Sequence, residues 1–510
     1  MAPWPAVKWK SVWTRQSFSS KSEVIGHTSP DNPSGKDALA SDLAGRLSSL
    51  APAGGRDSLV RRERPPRGPH VRPTSIALLA SAIVMTSGPG LAQDPGKPTR
   101  TTIIKAGRLI DVRAGRVLTD RAILVEGGRI KSVGQAGEVH KAAPKDAAVI
   151  DLSNATVLPG LIDCHTHVFL QGFIPEHVYD DQLLKESIPY RTIRATVAAR
   201  TALMNGFTAM RDMETEGALY ADVDLKRAIQ KGVIPGPRMS VSTRGLSPTG
   251  TYALMGYSWE LRVPEGVQVV DGPDEIRKAV REQVKFGADW IKFYADRGEG
   301  IDGDLIRSKV NFTAEEMRAL VGEAHRLDRR VAAHAMGIDG IRAALAAGVD
   351  SIEHGMGLDA RAIDLMAERG VYWCPTIFSR VYIAERLPAE DAPALKAMLD
   401  RQREAFGLAL KKGIKIVYGT DAGAFPWDDN QAKDFGSMVR AGMTPMEAIR
   451  SASVVAAELL QAQEDLGAIE PGKYADIIAV GGDPLADVAE LGRVRFVMKG
   501  GQVFKDEIRK

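Results

Sequence analysis

A chain of 510 residues is too long for one ordinary core, so a decorated barrel or more than one domain is expected. Its 44% hydrophobic and 26% charged residues are ordinary for a soluble globular protein. The net charge of +3 is uneven: the first 92 residues carry 12 Lys and Arg against 6 Asp and Glu, leaving 55 against 58 for the remainder. The basic excess belongs to the N-terminal tail, so the folded body gives no electrostatic reason to expect nucleic acid. Cys164 and Cys374 form neither a disulfide framework nor a CxxC zinc pair, and both read as small buried core residues.

Residues 1–74 read as a tail. The first 60 are rich in Ser, Ala, Gly and Pro without a hydrophobic period, the composition of a disordered segment. Arg61, Arg62, Arg64, Arg67 and Arg72 then form a basic stretch. Residues 75–92 supply an apolar run (SIALLASAIVMT), too short to span a bilayer comfortably, and small residues Gly90 and Ala92 around a cleavage point. This is the order of a secretory signal peptide, so a periplasmic or secreted protein is expected, with no membrane span in its mature form. One explanation of its distance from residue 1 is a start of synthesis near Val60 or Val71. The alternative is a cytoplasmic protein with a basic tail and a chance apolar run.

From Thr102 the pattern changes to short β-like runs punctuated by Gly107, Gly127, Gly128 and Gly134, and similar runs return near the C-terminus (GKYADIIAVGG, RVRFVMKGGQVFKDE). Neither stretch has the apolar surface to fold alone. Together, 99–158 and 466–510 are expected to form one discontinuous β-sandwich domain around an inserted barrel at 159–465.

Across that insert, eight short apolar runs alternate with helical patterns: 160–168, 207–213, 238–243, 289–295, 330–335, 351–355, 371–376 and 414–422. This alternation predicts an α/β fold, a (β/α)8 barrel with its chemistry at the C-terminal ends of the strands. Polar residues fall at those ends. His165 and His167 close the first strand, Lys292 lies in the fourth, His334 ends the fifth, His354 the sixth and Asp421 the eighth.

Strand side chains alternate between faces, so His165 and His167 point the same way and can bind one metal. The same rule groups Trp290, Lys292 and Tyr294, and pairs Ile352 with His354 while turning Glu353 outward. Four of nine histidines at strand ends of one barrel point to ligands rather than satisfied core histidines. His325 reads as a helix residue and His177 as a loop residue. An inward Lys292 is costly to bury charged. Either it pairs with a barrel carboxylate, or its neutral amine takes up carbon dioxide and the carbamate bridges two metals.

These residues resemble a known family. His165-Thr-His167 preceded by 159–163 (PGLID), Lys292 in ADWIK, His334 in VAAH, His354 in IEHG, Asp421 in GTDAG, and the tail GKYAD with GDPL are similar to the amidohydrolase superfamily. The likeness covers nearly all of residues 101–505. Within it, the chain resembles the imidazolonepropionase-related subgroup that contains Xaa-Pro and Xaa-Arg/Lys dipeptidases and ochratoxin-hydrolysing amidases. The resemblance implies that His165, His167 and Asp421 hold the more buried of two divalent metals, zinc by expectation. His334 and His354 would hold the second, and carbamylated Lys292 would bridge both. The loop after the third strand departs from some dipeptidases, reading SPTGTY (247–252) without a Gly-Gly-His run.

The implied function is hydrolysis of an amide bond in a small peptide or N-acyl amino acid, with Asp421 as proton acceptor. Tyr294 is either an oxyanion donor or an aromatic filling the top of the barrel. Tyr252, Arg262 and Trp427 are candidate substrate contacts, Arg262 for a carboxylate unless it is simply solvent-exposed. A homo-oligomer is expected. Alternatives are a lactonase or phosphotriesterase-like hydrolase, an imidazolonepropionase-like hydrolase that needs no Lys292, and a catalytically silent barrel scaffold.

Overall fold

The computed structural model describes residues 101–172, 179–252, 254–390 and 392–508. The tail and signal segment expected over 1–92, and His177, lie outside the described residues. No helix among the described residues is long and apolar enough to cross a membrane.

The two end segments of the chain pair in one seven-stranded sheet. Its order is Gln502–Asp506, Val494–Lys499, Ile477–Val480, Ala148–Pro159, Thr102–Asp111, Arg116–Glu126 and Arg129–Gln135. The seam is antiparallel, with Ile477 opposite Pro159 and Val480 opposite Thr156. One face buries Ile104, Ile150 and Leu152 from the N-terminal part with Ile477, Phe496 and Met498 from the C-terminal part, so each half supplies what the other lacks. The helix Ala136–Ala142 brings Val139 to a second cluster with Ile103, Ala122 and Leu124. Gly107 sits where the register of Thr102–Asp111 against Ala148–Pro159 shifts, and a Cβ there would lie 1.8 Å from the Ser153 carbonyl oxygen. Only glycine permits that approach.

Between these segments runs the barrel. Seven strands follow the expected positions: Leu161–Thr166, Phe207–Asp212, Arg238–Val241, Trp290–Tyr294, Arg330–Ala335, Ser351–His354 and Tyr372–Cys374. The first three pair in parallel, as do the last four. The third breaks after Val241 and resumes at Leu246–Ser247, beside the fourth. The eighth run, expected as a strand over 414–422, is not a continuous strand. It closes the barrel through isolated bridges, Ile416 to Trp373 on one side and Ala422 to Thr166 on the other. Asp421 interrupts it with φ 60°, a left-handed conformation that no ladder accommodates. Gly419 allows the run to press on the first strand, since a Cβ there would lie 2.2 Å from Cys374 Sγ and 2.9 Å from His165 Cβ.

Helices cover the outer face. Ile291, Phe293 and Ala295, the odd-numbered residues of the fourth strand, pack into the barrel–helix core with Leu320, Val331, Ile341 and Ile352. A hairpin after the fourth strand, Asp296–Asp302 with Leu305–Val310, is an insertion the sequence reading lacked, since the first of its strands, DRGEGID, is built mostly of residues depleted in strands.

One buried pair ties sheet to barrel. Arg238, on the third barrel strand, donates to both carboxylate oxygens of Asp476 at 3.1 Å and stacks on Tyr474 at 3.8 Å. Arg129 stacks on the same ring at 4.0 Å. Removing Asp476 would strand a mostly buried guanidinium. Asp476→Ala is expected to lower unfolding free energy by about 3–5 kcal/mol, and Asp476→Asn by less. Chemical denaturation of the three proteins checks this, and a loss below about 1 kcal/mol for the alanine variant would mark the pair as an ordinary surface contact.

Candidate metal centre

The first strand delivers two imidazoles to the barrel interior. His165 is fully buried and His167 nearly so. Their Nε2 atoms lie 3.3 Å apart, and Asp421 Oδ1 is 3.6 Å from the first and 3.4 Å from the second. His165 donates through Nδ1 to Glu353 Oε2 at 2.7 Å, which leaves its Nε2 an unprotonated lone pair. His167 directs Nδ1 at the Glu214 carbonyl at 3.4 Å. Two imidazole nitrogens and a carboxylate oxygen therefore converge on one point. Four donors placed ~2.0 Å from a tetrahedral ion sit ~3.3 Å from one another. The triangle has that size, so these residues fit a metal ion.

The remaining candidates surround this triangle. The His165 and His354 rings are 4.9 Å apart, and those of His354 and His334 are 4.7 Å apart. His354 Nδ1 meets Thr376 Oγ1 at 2.7 Å. His334 lies 4.0 Å from Asp296, whose carboxylate is occupied by the backbone N–H groups of Met336 and Gly337. Burial, then the charge of Lys292, pushes the His165 imidazole down to about 4. Burial likewise drives His334 and His354 well below the usual histidine range. All three are thus neutral, the form that binds metal. Asp421 goes the other way: burial opposes its ionisation, yet the hydrogen bond to His167 and the neighbouring positive charge hold it well below the usual carboxylate range.

Lys292 is 1% exposed, with Nζ 5.4 Å from the Tyr294 ring centre. Among the described residues no carboxylate oxygen lies within 4.0 Å of its ammonium, so the expected ion-pair alternative is not what holds it. Burial lowers its pKa against the opposing pull of Glu353, Glu214 and Asp421.

Glu353 corrects the sequence reading. It does not face outward. It is fully buried inside the barrel, where Oε1 accepts from Arg211 Nη2 at 2.8 Å and Ser351 Oγ at 2.5 Å, while Oε2 accepts from His165. Ile352 takes the outward place. His354 still reaches the site because its φ is 68°, which breaks the alternation at the last residue of the strand. Cys374 Sγ is near enough to His165 and Glu353 to suggest a second ligand group. Arg211 argues against that, since its guanidinium occupies Glu353 and would repel a cation.

Further up, Tyr294 donates to Glu214 Oε2 at 2.6 Å, and Tyr252 and Tyr179 donate to Glu216 Oε2 at 2.7 and 2.8 Å. Glu216 Oε1 lies 3.6 Å from His167 Nδ1. Tyr252 and Tyr294 therefore meet beside the ligands. Arg262 is exposed on its loop, and Trp427 is 3% exposed and packed with the barrel core. His325 is helical and bonds Asp350. The residues that sequence reading missed are Arg211, Glu214, Glu216, Glu353, Thr376 and Arg380. A signal existed in RDMETE (211–216), a run of charges closing a buried strand.

Glu353 and Arg211 form a buried pair whose loss has a readout independent of any metal. Glu353→Leu should cost about 3–5 kcal/mol by leaving Arg211 uncompensated, with Glu353→Gln between it and wild type. Equilibrium unfolding decides, and wild-type stability of the leucine variant would refute the pairing.

The sequence matches the amidohydrolase family over residues 156–504. It is 31% identical over 435 residues to ochratoxinase from Aspergillus niger, covering 80% of this chain and 87% of that protein. The fold superposes on a Xaa-Pro dipeptidase with methionine bound in its active site, with TM-score 0.70 and 34% identity, covering 79% of this chain and all of the other. It superposes on a prolidase complexed with N-methylphosphonate-L-proline with TM-score 0.68 and 30% identity, over 80% of this chain and all of the other. The family match spans most of the chain and takes in every candidate ligand from His165 to Asp421, so the chain belongs to the amidohydrolase family and is a hydrolase.

Proposed function

We propose that this hydrolase cleaves an amide C–N bond in a small peptide or N-acyl amino acid, using two divalent ions, zinc being the one its nitrogen-rich donors suit. The observation that carries this reading is the triangle of His165, His167 and Asp421 beside a buried Lys292 that has no ion-pair partner among the described residues. Those three would hold the more buried ion, and His334 and His354 the other. Burial favours the neutral amine of Lys292. Its lone pair would add to carbon dioxide with loss of a proton, and the two carbamate oxygens would bridge the ions.

Ions bound there would acidify a shared water and polarise the scissile carbonyl. Asp421 takes the proton that the water gives up and returns it to the leaving amine. Tyr294 offers its hydroxyl to the developing oxyanion, exchanging the Glu214 carboxylate for it. Tyr252 lines the approach beside it. The likeness to ochratoxinase, a Xaa-Pro dipeptidase and a prolidase supports the amide assignment. A lactonase or phosphotriesterase-like reaction would use the same donors, so a substrate panel of dipeptides, N-acyl amino acids, lactones and phosphotriesters separates them.

The metal-replete protein should hold about two ions per chain by elemental analysis. Lys292→Ala should lose bridging and depress turnover by roughly 100-fold or more. Lys292→Arg should not rescue it, because a guanidinium remains cationic. If Lys292→Arg keeps two ions and near-normal turnover, the carbamate reading is wrong.

We also propose that the protein is exported. The basic stretch, the short apolar run and Gly90 with Ala92 support a mature N-terminus near Gln93. N-terminal sequencing of protein from its native cell tests this, and an intact tail would count decisively against it.

A further inference from the structure

We propose that Arg380 is the residue that binds a carboxylate of the substrate, making the enzyme selective for amides that carry a free carboxylate next to the scissile bond. This rests on the amide reading above for the reaction, but not for the binding.

Arg380 lies on the helix Ile377–Ala384, which follows the seventh barrel strand. Two bonds aim the start of that helix at the site: Phe378 N–H donates to Asp434 at 2.9 Å and Ser379 Oγ to Asp421 Oδ2 at 3.2 Å. Arg380 is only 9% exposed. Its Nη2 is 3.4 Å from His354 Nδ1 and 3.5 Å from Asp421 Oδ2. Its Nε is buried and has no hydrogen-bond partner among the described residues.

This is an incomplete environment for a guanidinium, which offers five donors in a planar fork. Asp421 is the one carboxylate within 4.0 Å of it among the described residues. That carboxylate already belongs to the His165–His167 triangle, so it cannot also neutralise Arg380 when the triangle holds a cation. The other acids near the ligands are spoken for: Glu353 by Arg211, Glu214 by Tyr294, and Glu216 by Tyr179 and Tyr252. A buried cation without a counterion is costly. An incoming anion with two coplanar oxygens would satisfy both the charge and the fork.

The position sets which carboxylate. With Nη2 3.4–3.5 Å from two candidate ligand side chains, an oxygen bound there lies close to the reacting centre. That suits a carboxylate on the carbon attached to the amide nitrogen, rather than one at the far end of a side chain. The candidate that sequence reading supplied, Arg262, sits exposed on its loop.

The test uses the metal-loaded full-length enzyme. Calorimetry compares L-phenylalanine with L-phenylalaninamide, and includes inorganic phosphate. Wild type should prefer the carboxylate by about 10-fold or more. Arg380→Met should bring that ratio near one, and Arg380→Lys should restore part of it. In turnover, the kcat/KM ratio of N-acetyl-L-phenylalanine over its amide should fall by about the same factor in Arg380→Met. Equal binding of both probes by wild type, binding of neither, or a preference retained in Arg380→Met overturns the proposal. Tighter binding of phosphate than of the amino acid through Arg380 also overturns it, in favour of a phosphate-bearing substrate. If no amide is hydrolysed but the Arg380-dependent binding preference holds, the amide reading falls and the carboxylate site stands.

Discussion

Two imidazole nitrogens and a carboxylate oxygen are held 3.3–3.6 Å apart in a dry interior. The hydrogen bond between His167 and Asp421 does not by itself fix that triangle. What does is the surrounding frame, and most of the barrel's unusual polar residues belong to it. Glu353 fixes the ring of His165 and the nitrogen that carries its proton. Arg211 keeps Glu353 ionised, bonds the Cys164 carbonyl at 2.6 Å and stacks on Trp290 at 4.4 Å. The backbone N–H of Asp421 is held by the His165 carbonyl at 2.7 Å. The ligand atoms are thus preorganised by partners that never touch a metal, which is where affinity and orientation are set in such sites.

The interior is layered by charge. Below the ligands, Arg211 and Glu353 form a pair that is entirely out of water. At ligand level sit Lys292, Asp421 and the neutral histidines. Above them, Glu214 and Glu216 are capped by three tyrosine hydroxyls. A buried ion pair contributes little net stability compared with apolar packing. Its retention here is better understood as geometry: each charge fixes one ligand or one loop. The apolar helix layer around the barrel, with Phe293, Ile341 and Ile352, supplies the stability that this polar interior does not.

Much of this was legible in the sequence because alternation is a strong constraint in strands. Trp290, Lys292 and Tyr294 face inward, and Ile291 and Phe293 outward, as a period of two demands. The seven regular strands also fell where short apolar runs met helical ones. Legibility failed where the backbone leaves the period. Glu353 and His354 are adjacent yet both serve the interior, because one residue in the left-handed region rotates the next side chain back. The eighth run failed for the same reason at Asp421. Contacts across the barrel were invisible as well: nothing local in IEHG reveals that Arg211, 142 residues earlier, is the partner of Glu353.

The departures from regular backbone are not scattered. Of the nine non-glycine residues with positive φ among the described residues, five close barrel strands or begin the loops after them: Glu216, Thr243, His354, Thr376 and Asp421. Each such conformation costs of order 1–3 kcal/mol unless its surroundings impose it. In every case a specific bond does so. Arg191 Nη2 donates to the Glu216 carbonyl at 2.7 Å, and Asp222 accepts from Thr243 N–H at 2.8 Å. Trp373 Nε1 and Gln402 Nε2 both donate to the His354 carbonyl, at 3.0 and 2.9 Å. Thr376 is tied through its hydroxyl to His354, and Asp421 through its N–H to His165. The strain is therefore purposeful in a physical sense. A parallel strand can present only alternate residues to a barrel's axis, and a site that needs Glu353 with His354, and Asp421 in contact with two histidines, exceeds that limit. Turning the last residue of the strand into the left-handed region removes the limit, and the buried polar residues that secure the turn are the same kind that orient the ligands.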